Sequence, residues 1–280
     1  MSALAGAPFR KMNGLGNDFV VVDLRRSSAR MTAVAARAIA DRSRGIGCDQ
    51  VITLEDRGEP YMGVWNADGS EAGQCGNAAR CVGWILMEEA GAPEAAFATA
   101  STTLCVRKAG EKRVAVDMGE PKFGWREIPL AEAFEDTRFI DIKLGPIDKP
   151  VLWGPSAVSM GNPHCVFFVE DAEAQALDRF GPLVENHPLF PERTNVGVAE
   201  VRGPHLIRLR VWERGAGLTK ACGTGACAAL VAAHRRRLAA RKATVLLDGG
   251  PIAIEWRADN HVEMTGPIEF EFEGTLPATV

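Results

Sequence analysis

No run of eighteen apolar residues occurs anywhere in the 280-residue chain, so the sequence offers no candidate membrane-spanning helix. A dense basic patch is missing too. Thirty-two Lys and Arg are scattered among 36 Asp and Glu for a formal net charge of −4, which removes the electrostatic footprint of a nucleic-acid binder. The one short cluster, Arg235, Arg236 and Arg237, reads as a solvated helix end. The opening MSALAGAPFRKMNG has no basic stretch followed by an apolar core, so we expect a cytoplasmic protein. Aromatic residues are few, at 7%, but 46% hydrophobic and 24% charged residues describe an ordinary globular chain and exclude disorder and collagen. At about 150 residues per domain the length suggests two domains.

Absent motifs narrow the chemistry. C-x-x-C, G-x-G-x-x-G and a P-loop lysine do not occur, which withdraws the usual support for thioredoxin-like, dinucleotide-binding and nucleotide-hydrolysing proteins. Cys75 and Cys81 are too widely spaced for a zinc pair, and no His/Cys cluster accompanies Cys222 and Cys227, so no metal is expected. Lys220 has no phosphate cradle beside it that would make it a pyridoxal-phosphate lysine, and no cofactor is expected. Seven cysteines are an odd number, which argues against a disulfide framework and leaves room for working thiols among small buried ones.

Strand signals outnumber helical ones. FRKMNGLGNDFVVVDL, VITLE and YMGVWNADG read as strands, residues 31–41 as a helix, and CGNAARCVGWILMEEAG as a helix stopped at Gly91. TLCVRKAGEKRVAVDMG reads as a hairpin turning near Gly110, and the acid- and Pro-containing stretch 119–138 as a linker. Beyond it, IDIKLG and SAVSMGNPHCVFFVED suggest strands. GPLVENHPLFPERTNVGVAEV suggests a long loop and a strand, and HLIRLRVWERG alternates. CGTGACAALVAAHRRRLAA reads as another helix, followed by strands in KATVLLDGG, PIAIEWRA and HVEMTG.

The two parts repeat one another. Trp65 precedes Cys75 as Trp212 precedes Cys222, because 212 − 65 and 222 − 75 both give 147. GLGNDFVVVD parallels SMGNPHCVFFVED, aligning Asn17 with Asn162, and Gln50 stands 145 residues before Asn195. Three matches in the same order predict a duplicated fold. In each half a Cys-Gly pair opens a helix, where unsatisfied backbone amides and the positive end of the dipole favour a thiolate and suit a carboxylate ligand. Gly76 and Gly223 allow close approach to the backbone. A paired arrangement of this kind suits proton transfer at a carbon next to a carboxylate. One thiolate removes a proton from one face and an opposing thiol delivers one to the other.

At NADGSEAGQCGNAARC and ERGAGLTKACGTGACA the sequence resembles the diaminopimelate epimerases. KMNGLGNDFVVVD, RGIGCDQ, SMGNPHCVFFVE, ERTNV and MTGP extend the likeness over nearly the whole chain. The resemblance implies an α/β (α+β) fold of two pseudo-symmetric domains, each a strongly curved mixed β-sheet around a central helix, with the active site in the cleft between them. Domain boundaries of 1–124 with 268–280, and 125–267, follow from it, and a homodimer is implied. The implied reaction is cofactor-independent interconversion of LL- and meso-2,6-diaminopimelate. Cys75 and Cys222 would be the acid/base pair, with His164 adjusting Cys75 and Glu213 adjusting Cys222. Gly76, Asn77, Gly223 and Thr224 would hold the carboxylate at the reacting centre, and Asn17, Gln50, Asn66, Asn162, Asn195, Glu213 and Arg214 the rest of the amino-acid substrate. Glu213 has separate support, since in IRLRVWE it shares a strand face with Ile207, Leu209 and Val211. Asn13, Ala78 and Leu218 depart from the family pattern. The alternatives are another two-cysteine racemase, acting on proline or hydroxyproline, and a non-catalytic amino-acid binding protein.

Overall fold

Runs of β-branched residues between glycine turns build most of the chain into strands. The computed structural model describes residues 4–278 except Gln74 and Ile147. One compact unit comprises the chain up to Val116 together with the stretch from Thr265 onward, and the other is Asp117–Met264. These divisions fall a few residues before the anticipated 124/125 and 267/268.

In the first unit the order is β1 (Pro8–Gly14), β2 (Asn17–Asp23), α1 (Ala33–Ala40), β3 (Gln50–Asp56), β4 (Pro60–Asn66), β5 (Glu71–Ala72), α2 (Gly76–Ala90), β6 (Glu94–Ala98), β7 (Thr103–Lys108) and β8 (Arg113–Asp117). The second contains β9 (Lys143–Leu144), β10 (Leu152–Trp153), β11 (Ser156–Ser159), β12 (Pro163–Phe168), α3 (Leu177–Glu185), β13 (Asn195–Gly203), β14 (Leu206–Glu213), β15 (Gly217–Thr219), α4 (Gly223–Arg235), β16 (Lys242–Leu247) and β17 (Gly250–Trp256). After β18 (Val262–Pro267), β19 (Glu269–Thr275) returns to pair antiparallel with β1.

The pairing pattern is the same in both units. β1–β2 is antiparallel, β2–β3 parallel, β3–β4 antiparallel and β4–β6 parallel. β11–β12, β12–β13, β13–β14 and β14–β16 repeat that series. Register repeats as well, since Phe19 stands opposite Gln50 as His164 stands opposite Asn195. The duplication inferred from spacing is therefore structural.

A helix packs against the strands of each unit, α2 in the first and α4 in the second. On α4 every residue from Ala226 to Ala233 is buried, the mark of a helix apolar all round, and it packs against β11, β12, β13, β14, β16 and β17. In α2 the approach to β7 is so close that a Cβ on Gly83 would stand 2.6 Å from Val106 Cγ2. Gly91 ends α2 in the left-handed region at φ 62°. No helix among the described residues is long and apolar enough to cross a membrane.

Three expectations are corrected. Residues 119–138 are irregular but are no free linker, because Ile128 and Leu130 are buried in the second unit's core with Trp125 packed against it. The supposed loop GPLVENHPLF begins inside α3, a helix that contains Pro182. IDIKLG contributes only the two-residue β9, although its Ile140 and Ile142 are buried.

Candidate active site

The first unit presents Cys75 as the N-cap of α2, with extended backbone (φ −142°, ψ 112°) and with Gly76 and Asn77 in the first turn. Its sulfur lies 4.0 Å from Asn17 Oδ1. That amide's orientation is fixed chemically. Asn17 Nδ2 donates to Asp49 Oδ2 at 2.9 Å, a carboxylate can only accept, and so the carbonyl is the end turned to the thiol. Behind it Asp18 accepts from Arg42 and from the buried Lys11. Burial pushes the Asp18 carboxyl up, but those cationic donors outweigh it and hold it far below the usual range. Gln50 Nε2 donates to Asn66 Oδ1 at 2.9 Å, while its buried Oε1 has no partner among the described residues. Asn77 is 3% exposed and accepts from Arg80 Nη1 at 3.1 Å, so its side chain braces the helix start.

In the second unit Cys222 caps α4, and its sulfur accepts from Gly225 N at 3.4 Å. Thr224 Oγ1 lies 3.6 Å from the sulfur and takes a hydrogen bond from Asn162 Nδ2 at 3.4 Å. Asn162 Oδ1 in turn meets His164 Nε2 at 3.0 Å. A polar chain thus runs from His164 through Asn162 and Thr224 to Cys222. Glu213, at the end of β14, accepts from Thr219 Oγ1 at 2.5 Å and from the Cys222 thiol. Asn195 donates to Pro163 O at 2.9 Å and accepts from Arg214 N at 3.0 Å, and Arg214 Nη1 reaches Glu192 O at 3.0 Å.

Burial governs the protonation of this half. It raises the Glu213 carboxyl, and it raises the Cys222 thiol well above its ordinary value, with the negative charge of Glu213 adding to the effect. The helix-end amide of Gly225 works the other way and loses, so the thiolate anticipated from the helix start alone is corrected here to a thiol. His164 is driven down to about 3 by burial, with Arg214 contributing, and is therefore neutral. Burial also pushes Cys48 up to about 11 and Cys81 up to about 12, marking both as packing thiols.

All the nominated residues of the first unit other than the three at the start of α2, Cys75, Gly76 and Asn77, sit on β2, β3 and β4, and those of the second on or beside β12, β13, β14 and α4. Asp49 and Thr219 were not singled out from sequence. Thr219 follows the motif GAGL, but nothing in its spacing says that its hydroxyl meets Glu213. Asn13 caps its own turn by accepting from Gly16 N at 2.8 Å, Ala78 is buried, and Leu218 is exposed on β15, so none of the three departures removes a group from either cluster. Among the described residues no three His, Cys, Asp or Glu side chains are grouped so as to hold a metal ion.

Two like sheet-and-helix units, each with a cysteine at the start of its central helix, define a chain of the racemase and epimerase fold. Solved structures of that fold include a predicted epimerase from Pseudomonas aeruginosa, at TM-score 0.66 and 18% identity over 96% of this chain and 99% of that one. A hydroxyproline epimerase from Agrobacterium vitis with bound trans-4-hydroxy-L-proline matches at TM-score 0.65 and 14% identity, covering 99% and 94%. The family model for diaminopimelate epimerase matches residues 9–124 and 156–271, two blocks offset by 147 (156 − 9 and 271 − 124). Diaminopimelate epimerases from Phenylobacterium zucineum and Acidiphilium cryptum are 57% and 51% identical, each over 99% of this chain and over 100% and 98% of their own lengths. The chain belongs to the diaminopimelate epimerase family and is an isomerase.

Proposed function

We propose that the protein interconverts LL- and meso-2,6-diaminopimelate by proton transfer between two cysteines, without metal or organic cofactor. The observation that carries the reading is the repeated placement of a cysteine at the first turn of equivalent helices, one of them hydrogen-bonded to a buried carboxylate. Glu213 takes the Cys222 proton, and the resulting thiolate abstracts the α-hydrogen. Cys75 delivers a proton to the opposite face, and in the reverse direction the roles exchange. The first-turn amides of Gly76, Asn77, Gly223 and Thr224 receive the carboxylate and stabilise the charge that develops on it. Asn17, Gln50, Asn66, Asn162, Asn195 and Arg214 hold the remaining amine and carboxylate groups. The unpartnered Oε1 of Gln50 suits an ammonium donor, and Arg214 a carboxylate. The family resemblance assigns His164, neutral at working pH, to Cys75, while the hydrogen-bonded chain it heads leads to Cys222. We place the enzyme in the cytoplasm as a homodimer.

Chiral chromatography after incubation with LL-diaminopimelate, L-proline and trans-4-hydroxy-L-proline in parallel tests the substrate. Turnover of LL-diaminopimelate alone supports the reading. Epimerisation of either imino acid alone overturns it in favour of the related racemases, and binding without turnover makes the chain an amino-acid binding protein.

A further inference from the structure

We infer that Glu185 on α3 is a positioning residue that fixes the Glu213–Arg214 pair, an inference resting on the roles just proposed for those two. Glu185 is 5% exposed, and its two oxygens accept from different donors. Oε2 accepts from Trp212 Nε1 at 2.6 Å, one residue before Glu213. Oε1 accepts from Gly215 N at 2.9 Å, one residue after Arg214, and also from Arg193 Nη1 at 3.3 Å. The carboxylate therefore brackets the pair.

Burying a carboxylate is costly, and an apolar side chain of similar volume would pack the same space more favourably. What the carboxylate adds is a rigid fork of two acceptors. The β14–β15 turn needs such a tie, because Gly215 and Gly217 hold φ of 77° and 81°, backbone states that glycine enters and leaves readily. The helix is also seated for the purpose. A Cβ on Gly181 would stand 2.5 Å from Trp212 Cδ2, so only glycine lets α3 lie this close to the indole. The loop after α3 and the start of β13 complete the hold, with Glu192 O on the Arg214 guanidinium and Asn195 Oδ1 on its backbone amide.

Glu185→Gln gives the test, because an amide has one acceptor and its NH2 must face either the indole or the Gly215 N–H. Displacing catalytic groups by about 1 Å costs about 100-fold, and we expect a loss of that order in kcat/KM, with KM raised through Arg214 and kcat lowered through Glu213. Trp212→Phe removes the opposing donor, so the double variant Glu185→Gln/Trp212→Phe recovers at least ten-fold of the loss, and it serves if the single variant does not fold. A second readout is the pH dependence of Cys222 alkylation, followed peptide by peptide. Glu213, Thr224 and Gly225 N face that sulfur. Loosening Glu213 withdraws the negative charge that helps hold the thiol up, so the alkylation midpoint moves to lower pH than in the wild type. Wild-type kinetics in Glu185→Gln, an unchanged alkylation midpoint, or failure of the double variant to recover activity overturns the inference. Glu213→Gln and Arg214→Lys are assayed alongside. If both keep full activity, the site reading falls and the clamp with it. If both are impaired while Glu185→Gln is not, only the clamp falls.

Discussion

Cys75 and Cys222 differ from the other five cysteines by position rather than by type, since each is the N-cap of its unit's central helix. Cys75→Ala and Cys222→Ala should each lower kcat/KM by about 1,000-fold or more with the fold intact by circular dichroism, because each removes one face of the proton transfer. Cys48→Ala should be near wild type in the same assay. His164 supplies a pH prediction. It is held down to about 3 in the native state but titrates near 6.5 when unfolded, so below about 6.5 the unfolded chain takes up a proton that the native state refuses. Stability then falls as pH falls through that window. His164→Gln should flatten the dependence of the melting midpoint between pH 6.5 and 5, and a slope equal to wild type would contradict the burial argument. The cysteine pair was legible from its spacing and its Gly neighbours. The Asn and Gln residues came through family resemblance, because a lone Asn in NADG or GNP reads as a turn. Asp49 and Glu185 were illegible, since their work lies in hydrogen bonds to residues distant in sequence.

Secondary elements with a clean period were read correctly and those whose buried face carries unusual residues were not. α1, α2 and α4 follow from helix formers and apolar spacing. α3 buries Leu177, Gly181, Val184 and Glu185, the spacing of a helix face, but a glycine and a carboxylate occupy two of those positions and Pro182 supplies a turn signal. The repeat held the missing clue, because α1 lies between β2 and β3 as α3 lies between β12 and β13. Tight packing of α2 yields a further prediction. Gly83→Ala gains about 1 kcal/mol of helix propensity but forces a methyl against all three atoms of the Val106 side-chain branch. We expect a net loss of about 1–2 kcal/mol by urea unfolding, relieved by Val106→Ala. A stabilised Gly83→Ala would show that β7 yields at no cost.

At the scale of the whole molecule the duplicated pattern is the central fact. Spacings of 147 between tryptophans and between cysteines, the two blocks of the family match, and the repeated strand pairing describe one structural unit used twice. Symmetry of this kind suits a reaction in which a proton leaves one face of a carbon and arrives on the other, and it makes no demand for a cofactor. Dialysis against a chelator should leave the rate unchanged, and a loss restored by zinc would argue for metal chemistry instead. Incubating the enzyme with LL-diaminopimelate in deuterated water and following the α-carbons by NMR and chiral analysis reaches the central claim most directly. The two-thiol account predicts meso product carrying deuterium at its inverted α-carbon from the first turnovers. Product that retains the original hydrogen, or deuterium exchange without inversion, would contradict it.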